Sequence, residues 1–203
     1  MRCEVDLLII RNRLDLELEV LQAFGPRYVF FPHWSWKIPA EIHENFECVI
    51  FHMTDLPYGR GGSPLQNLIV RGFSETLLTA VCCVDEFDAG PVYLKRPLSL
   101  NGTAEEIFMR ASCVIEEMIE IIVREQPRPA PQIGEPVIFH RRNREDGNLN
   151  GIDSLEKVYD YIRMLDADGY PRAYIETSDL VFEFSRASLR PNELIADVRI
   201  TKK

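Results

Sequence analysis

No apolar run in this sequence approaches the roughly 20 residues that a helix needs to cross a bilayer, and its start lacks the basic-then-apolar pattern of a secretory leader. Basic residues are in deficit: 23 Lys and Arg stand against 32 Asp and Glu, a formal net charge of -9. Polyanions are held mainly through Lys and Arg contacts and counterion release, so this balance argues against nucleic acid as a partner. The cysteines, Cys3, Cys48, Cys82, Cys83 and Cys113, are odd in number and mostly flanked by apolar residues. They exclude a disulfide framework and read as small buried hydrophobes in a reducing compartment. His33, His43, His52 and His140 are scattered without ligand spacing, so no metal site is expected. What is present is ordinary: 203 residues, 46% hydrophobic and 27% charged. That is enough for one proper core and a small extra module of a cytoplasmic globular protein.

Periodicity gives the elements. Residues 5–12 (VDLLIIRN) read as a strand, and Leu14, Leu18 and Leu21 recur at helical spacing before Gly25 and Pro26 stop the helix. RYVFFPHW reads as a short buried strand ending near Pro32, and WKIPAEIHENF as a turn with at most a short helix. ECVIFH has no alternation, as expected of a strand covered on both faces. A polar loop from Met53 to Ser63 leads to a helix opened by Pro64 and closed before Gly72. TLLTAVCCVD is a second continuous apolar strand running on toward Asp88, and PVYLKRPLSL an edge strand, because Pro97 would cost a central one a hydrogen bond. From Thr103 to Arg124 the spacing predicts a long helix with a capping box at Thr103 and Glu106 and a broad apolar face. Residues 125–136 hold four prolines and read as a linker. Beyond it lie a strand, a charged loop, a short helix and three strands, with Ser178 and Asp179 at a hairpin turn. The expected organisation is a core over 1–124, the linker over 125–136 and a small subdomain over 137–203.

Chemistry concentrates in two segments. His52 follows the apolar run Cys48, Val49, Ile50, Phe51 and precedes a glycine-rich loop with Arg60; Asp88 ends the next apolar strand two residues before Gly90. An imidazole and a carboxylate at two strand ends suit proton transfer at the carboxyl edge of an α/β sheet. Taken alone, either residue has a plain alternative: His52 as an ordinary hydrogen-bonded side chain, Asp88 as a turn former. His33 alone reads as a loop residue, and FPHWSW as packing under a loop.

Together these residues resemble the formyltransferases that use 10-formyltetrahydrofolate, the family containing methionyl-tRNA formyltransferase, glycinamide ribonucleotide formyltransferase and the amino-sugar N-formyltransferases. His52 stands at the family's catalytic histidine, Leu56 and Pro57 at its leucine-proline pair, Arg60 and Gly61 at its arginine-glycine pair, Pro64 at the helix-opening proline, and Asp88 with Gly90 at its Asp-x-Gly. Arg141 with Arg142, Ile162 with Arg163, and residues 170–175 (YPRAYI) resemble its carboxyl-terminal module. The fold implied is an α/β, Rossmann-like formyltransferase core, shortened at the amino terminus, with a small carboxyl-terminal α+β appendage. Two positions depart from the pattern: Ile50 replaces the family's asparagine, and Val81 stands where relatives carry a second histidine.

The resemblance implies transfer of a formyl group from 10-formyltetrahydrofolate to an amine. His52 and Asp88 would carry the proton transfers, and the oxyanion donor lost at Ile50 would be replaced by Thr54, the nearest hydroxyl in sequence, ahead of the Ser35 or Trp36 region or a backbone N–H of the loop from Gly59 to Ser63. Leu56, Pro57, Gly59, Arg60 and Gly61, with Val84, Asp85 and Phe87, would hold the folate, and His33, Trp34 and Trp36 the acceptor. The acceptor expected first is a small-molecule amine, a nucleotide-linked amino sugar, with methionyl-tRNA or another amine as the rival. The reading from another class is a non-catalytic protein that binds folate or a sugar nucleotide, or a subunit completing a partner's site; the assembly expected is a homodimer or a pairing with such a partner subunit.

Overall fold

The structure is a computed structural model that describes residues 5–203. Cys3 lies outside the described residues. The expected strand over 5–12 does not form: Val5, Leu7 and Ile9 are exposed, and among the described residues no regular element begins before Arg13. An apolar run becomes a strand only where another strand's edge accepts its backbone bonds. Leu14 does not join the α-helix of Leu18 and Leu21. The Asn12 side chain accepts the Leu14 N–H at 3.0 Å and caps a 3₁₀ turn over Arg13–Asp15, a local bond that competes with helix. Helix α1 covers only Leu18–Phe24, and Gly25 closes it in the left-handed region, its N–H donating to the Leu21 carbonyl.

Strand β1 (Val29–Phe31), the short helix α2 (Ala40–His43) and strand β2 (Cys48–His52) follow. The stretch from Met53 to Ser63 is not all loop, since Tyr58–Gly61 forms strand β3. Its partner, β6 (Val137–Phe139), is distant along the chain, so no local alternation announces it. Helix α3 (Pro64–Ile69) has Pro64 in its first turn, where a missing N–H costs nothing. Strands β4 (Glu75–Cys82) and β5 (Val92–Ser99) complete a four-stranded sheet in the order β1-β2-β4-β5, so Pro97 does lie on an edge strand. Strands β1 and β2 are parallel, while β2 and β4 are antiparallel with His52 opposite Thr79 and Ile50 opposite Val81. Helix α4 (Ala104–Glu125) starts from the expected box: the Thr103 N–H donates to Glu106 Oε2 at 2.8 Å and the Glu106 N–H to Thr103 Oγ1 at 3.2 Å. Its buried face is Ile107, Ala111, Ile115, Met118 and Ile122. Helix α5 (Leu155–Arg163) and strands β7 (Ala173–Glu176), β8 (Leu180–Arg190) and β9 (Glu193–Lys202) end the chain. These three strands form an antiparallel sheet whose first turn holds Ser178 and Asp179.

The backbone divides into two compact units that interleave along the sequence. The first runs through Arg60 and adds Leu77–Arg96 and Ser112–Val137; the second takes Gly61–Thr76, Pro97–Ala111 and Ile138–Lys203. In the first, Leu16, Leu21, Phe31, Ile38, Ile42 and Cys48 form a buried cluster against which Trp34, Ile50 and Cys83 pack. Residues 126–136 have no regular structure beyond one bridge in which Ala130 and Val92 exchange backbone bonds of 2.7 and 2.9 Å. Among the described residues no helix is long and apolar enough to cross a membrane.

Candidate active site

Strand β2 fixes His52. Its last residue sits beside Thr79 of β4 and is nearly buried, the side chain 8% exposed. The Nε2 atom lies 2.8 Å from the Gly59 carbonyl oxygen. A carbonyl only accepts, so Nε2 carries the proton. Nδ1 then faces Asp88, whose Oδ1 is 3.4 Å away and whose side chain is 11% exposed. A ring protonated at Nε2 alone turns a lone pair toward this carboxylate; a ring protonated at both nitrogens donates to each neighbour. The pair is looser than an ordinary hydrogen bond of about 2.7–3.2 Å, so the imidazole is firmly held at one end and loosely at the other.

Asp88 does not arrive from a second carboxyl edge, as expected from the sequence. Because β4 runs antiparallel to β2, its end at Cys82 faces Val49, at the opposite end of β2 from His52. The carboxylate reaches the imidazole from the loop that follows, with its own backbone in the left-handed region at φ 54°. Gly90 makes that loop feasible. A Cβ there would stand 2.0 Å from the Cys82 carbonyl oxygen, so only glycine allows the approach.

The loop after β2 is pinned from several sides. Thr54 is fully buried, its hydroxyl aimed at the same Gly59 carbonyl at 3.4 Å, and its own carbonyl accepts the Thr79 hydroxyl at 2.7 Å. Leu56 is buried and joined to Pro57 by a cis peptide bond. Lys95 donates to the Leu56 carbonyl and pairs with Asp55. Arg60, its side chain 13% exposed, turns to Gln132 and Glu86. On the other loop Val84 and Phe87 are exposed, and Asp85 pairs with Lys37 at 2.9 Å. That partner holds the Asp85 carboxyl below its ordinary range.

His33 occupies the left-handed region at φ 52°, its Nε2 2.8 Å from the Ser112 hydroxyl, and desolvation of the ring holds its pKa below the usual histidine value. Trp34 packs edge-on against Phe31 and Trp36, at 5.4 and 5.1 Å between ring centres, and its indole N–H has no partner among the described residues. Trp36 is half exposed. The link from this aromatic segment to the Asp88 loop is Lys37, which pairs with Asp85 and lies over Phe87 at 6.0 Å. Lys37 and Gln132 are among the contributors that sequence reasoning did not single out. Neither belongs to a motif, and only the folded chain brings them to these loops. Ile50 and Val81, the two departures, prove to be one feature: they stand opposite each other on β2 and β4, two residues along the sheet from the His52–Thr79 pair. Among the described residues no three His, Cys, Asp or Glu side chains gather as a metal site would require.

Comparison with known proteins places the chain in a family. Residues 144–201 match the family described as methionyl-tRNA formyltransferase, C-terminal domain. A methionyl-tRNA formyltransferase from Gluconobacter oxydans is 30% identical over 149 residues, 72% of this chain and 48% of that protein. The chain thus spans about half the length of the curated relatives it matches. Among solved structures, methionyl-tRNA formyltransferase from Clostridium thermocellum is 51% identical with a TM-score of 0.94, covering 96% of this chain and 86% of that one. Two others are alike in fold. HypX from Aquifex aeolicus in complex with tetrahydrofolic acid has 21% identity and a TM-score of 0.70 over 85% of this chain and 31% of that one. A 4-N formyltransferase from Francisella tularensis has 16% and 0.62 over 80% and 72%. With half its residues shared along most of the Clostridium thermocellum chain, this protein belongs to the 10-formyltetrahydrofolate-dependent formyltransferase family.

Proposed function

We propose that the protein moves the formyl group of 10-formyltetrahydrofolate to the amine of a small molecule in the cytoplasm, a nucleotide-linked amino sugar before others. The observation that carries this is the nearly buried His52–Asp88 pair in a chain of this family. In the reaction the amine nitrogen attacks the formyl carbon and forms the new C–N bond, while the carbonyl electrons move to oxygen. The Asp88 carboxylate takes the amine proton. Protonated His52 donates Nδ1–H to the oxyanion; the oxyanion electrons then re-form the carbonyl, and the bond from the formyl carbon to N10 breaks as the proton taken by Asp88 passes to N10. The products are the formamide and tetrahydrofolate. Thr54 acts behind the imidazole, sharing its Gly59 acceptor. The exposed Val84 and Phe87 offer an apolar flank for the folate rings, with the pinned Leu56–Gly61 loop opposite, and Trp36 faces the acceptor.

The names of the relatives and the family match over 144–201 favour a second reading, methionyl-tRNA as acceptor. Against it, arginines of the carboxyl-terminal segment already carry acidic partners: Arg144 with Glu176, Arg172 with Asp166, Arg186 with Asp197, and Arg199 with Glu183. A surface built to neutralise phosphates leaves such cations free. The test is incubation with 10-formyltetrahydrofolate and, separately, a panel of amino-sugar nucleotides and methionyl-tRNA, with mass detection of the formylated product. Product from a sugar supports the proposal, and product from the tRNA alone replaces the acceptor. No product together with no folate binding leaves a non-catalytic subunit.

A further inference from the structure

Gln132 lies in the proline-rich stretch, where the sequence suggested only a spacer. Its amide makes four hydrogen bonds. Oε1 accepts from Arg60 Nε at 3.1 Å and Nη2 at 2.9 Å, and Nε2 donates to the carbonyls of Asp88 at 2.7 Å and Gly90 at 2.9 Å. Its orientation is forced, because a guanidinium cannot accept and a carbonyl cannot donate. Every polar valence of the amide is therefore used, at a site where the side chains around it are mostly withdrawn from water.

The partners give this hub its meaning. Arg60 adjoins Gly59, whose carbonyl holds His52 Nε2, and Asp88 is the residue facing His52 Nδ1. One amide thus ties together the two segments that grip the imidazole from its two ends. It also bonds the carbonyl of the very residue held at φ 54°, a backbone geometry that costs a non-glycine residue energy unless its surroundings impose it. The second Arg60 contact, Nη1 to Glu86 Oε1 at 3.1 Å, runs between the same two segments but ends on an exposed carboxylate, where such pairs are worth little.

We propose, resting on the formyl-transfer reading, that Gln132 is a positioning residue of the reaction: its amide sets the separation of His52 Nδ1 from the Asp88 carboxylate and so the placing of the two groups that handle the proton. Gln132→Glu is the discriminating change. A carboxylate keeps both bonds from Arg60 but presents a second acceptor to the Asp88 and Gly90 carbonyls. Gln132→Met keeps the length of the side chain and removes all four bonds. Both variants are checked for folding by circular dichroism and compared with the unaltered protein in two ways: NMR of the ¹³C,¹⁵N-labelled His52 ring across pH, without substrate, and kcat and KM for the acceptor identified above.

The expected result is altered His52 ring signals and a displaced pH–rate profile in both variants, with kcat lowered on the order of a hundredfold, as for a reacting group misplaced by about 1 Å, and KM little changed. Folded variants with unaltered ring signals and unaltered kcat overturn the proposal. Loss of fold in both also overturns it, since the amide would then serve the fold and not the pair. If the unaltered protein formylates nothing, the activity reading falls by itself. The ring signals still decide the present assignment: changed signals sustain Gln132 as the residue that positions His52, and unchanged ones remove it.

Discussion

Replacing Gly90 with alanine tests the geometry of the site through one methyl group. The added Cβ would lie 2.0 Å from the Cys82 carbonyl oxygen, whereas ordinary contact begins at 3.4 Å, so about 1.4 Å of separation must be found. The obstacle is backbone on β4, and trimming a neighbouring side chain cannot relieve it. The Cys82 N–H is also bonded to the Pro91 carbonyl at 2.9 Å, which ties the far side of Gly90 to the same strand. The loop carrying Asp88 is left to yield. Overpacking of this kind costs about 1–3 kcal/mol, and for a chain of this size each kcal/mol lowers Tm by about 2–4 °C. Asp88 already sits 3.4 Å from His52, and displacement by about 1 Å should reduce kcat on the order of a hundredfold. Differential scanning fluorimetry gives the first number and single-turnover formyl transfer the second. A Gly90→Ala protein with unaltered Tm and kcat within about twofold of normal would refute the argument that this glycine sets the carboxylate's position.

Asp88→Asn removes the proton acceptor while keeping the shape, and kcat should fall by about 10²–10⁴ with KM for the amine nearly constant in steady-state assays. Thr79→Val keeps the volume but leaves the buried Thr54 carbonyl without its 2.7 Å donor; urea denaturation should show a loss of about 1–3 kcal/mol. His33 has a folded pKa below its unfolded value near 6.5, so the unfolded chain binds more protons between those two values. Its contribution to stability is complete above the unfolded pKa and is lost as pH falls through the folded one. Urea midpoints measured from pH 8 to pH 5 should therefore decline, and less steeply in His33→Asn. Burial pushes Cys48 up to about 12 and Cys83 up to about 11, while Cys113 is exposed; iodoacetamide at pH 8 should label Cys113 well before the other two, as peptide mapping by mass spectrometry would show.

Local signals carried much of the fold. The capping box at Thr103, the proline opening α3 and the left-handed Gly25 act within a few residues of themselves, and each stands where the pattern placed it. Apolar runs were less decisive. ECVIFH and VDLLIIRN look alike on paper, but only the first has neighbours on both sides, β1 and β4, and a strand is a property of its partners as much as of its residues. Strand β3 was invisible for the same reason, its glycines unlike a strand and its partner β6 far along the chain.

The site divides along the same line. His52, Asp88, Arg60 and Gly90 could be named from the sequence because motif spacing is a local matter. The antiparallel course of β4, the loop that brings Asp88 to the imidazole, the shared Gly59 acceptor of His52 and Thr54, and the Gln132 amide between the two loops could not. Residue identity determined which groups are able to move a proton. Distances of 2.8 and 3.4 Å around one imidazole ring were decided by segments remote in sequence, because hydrogen bonds depend on where the backbone has folded and not on the order in which it was written.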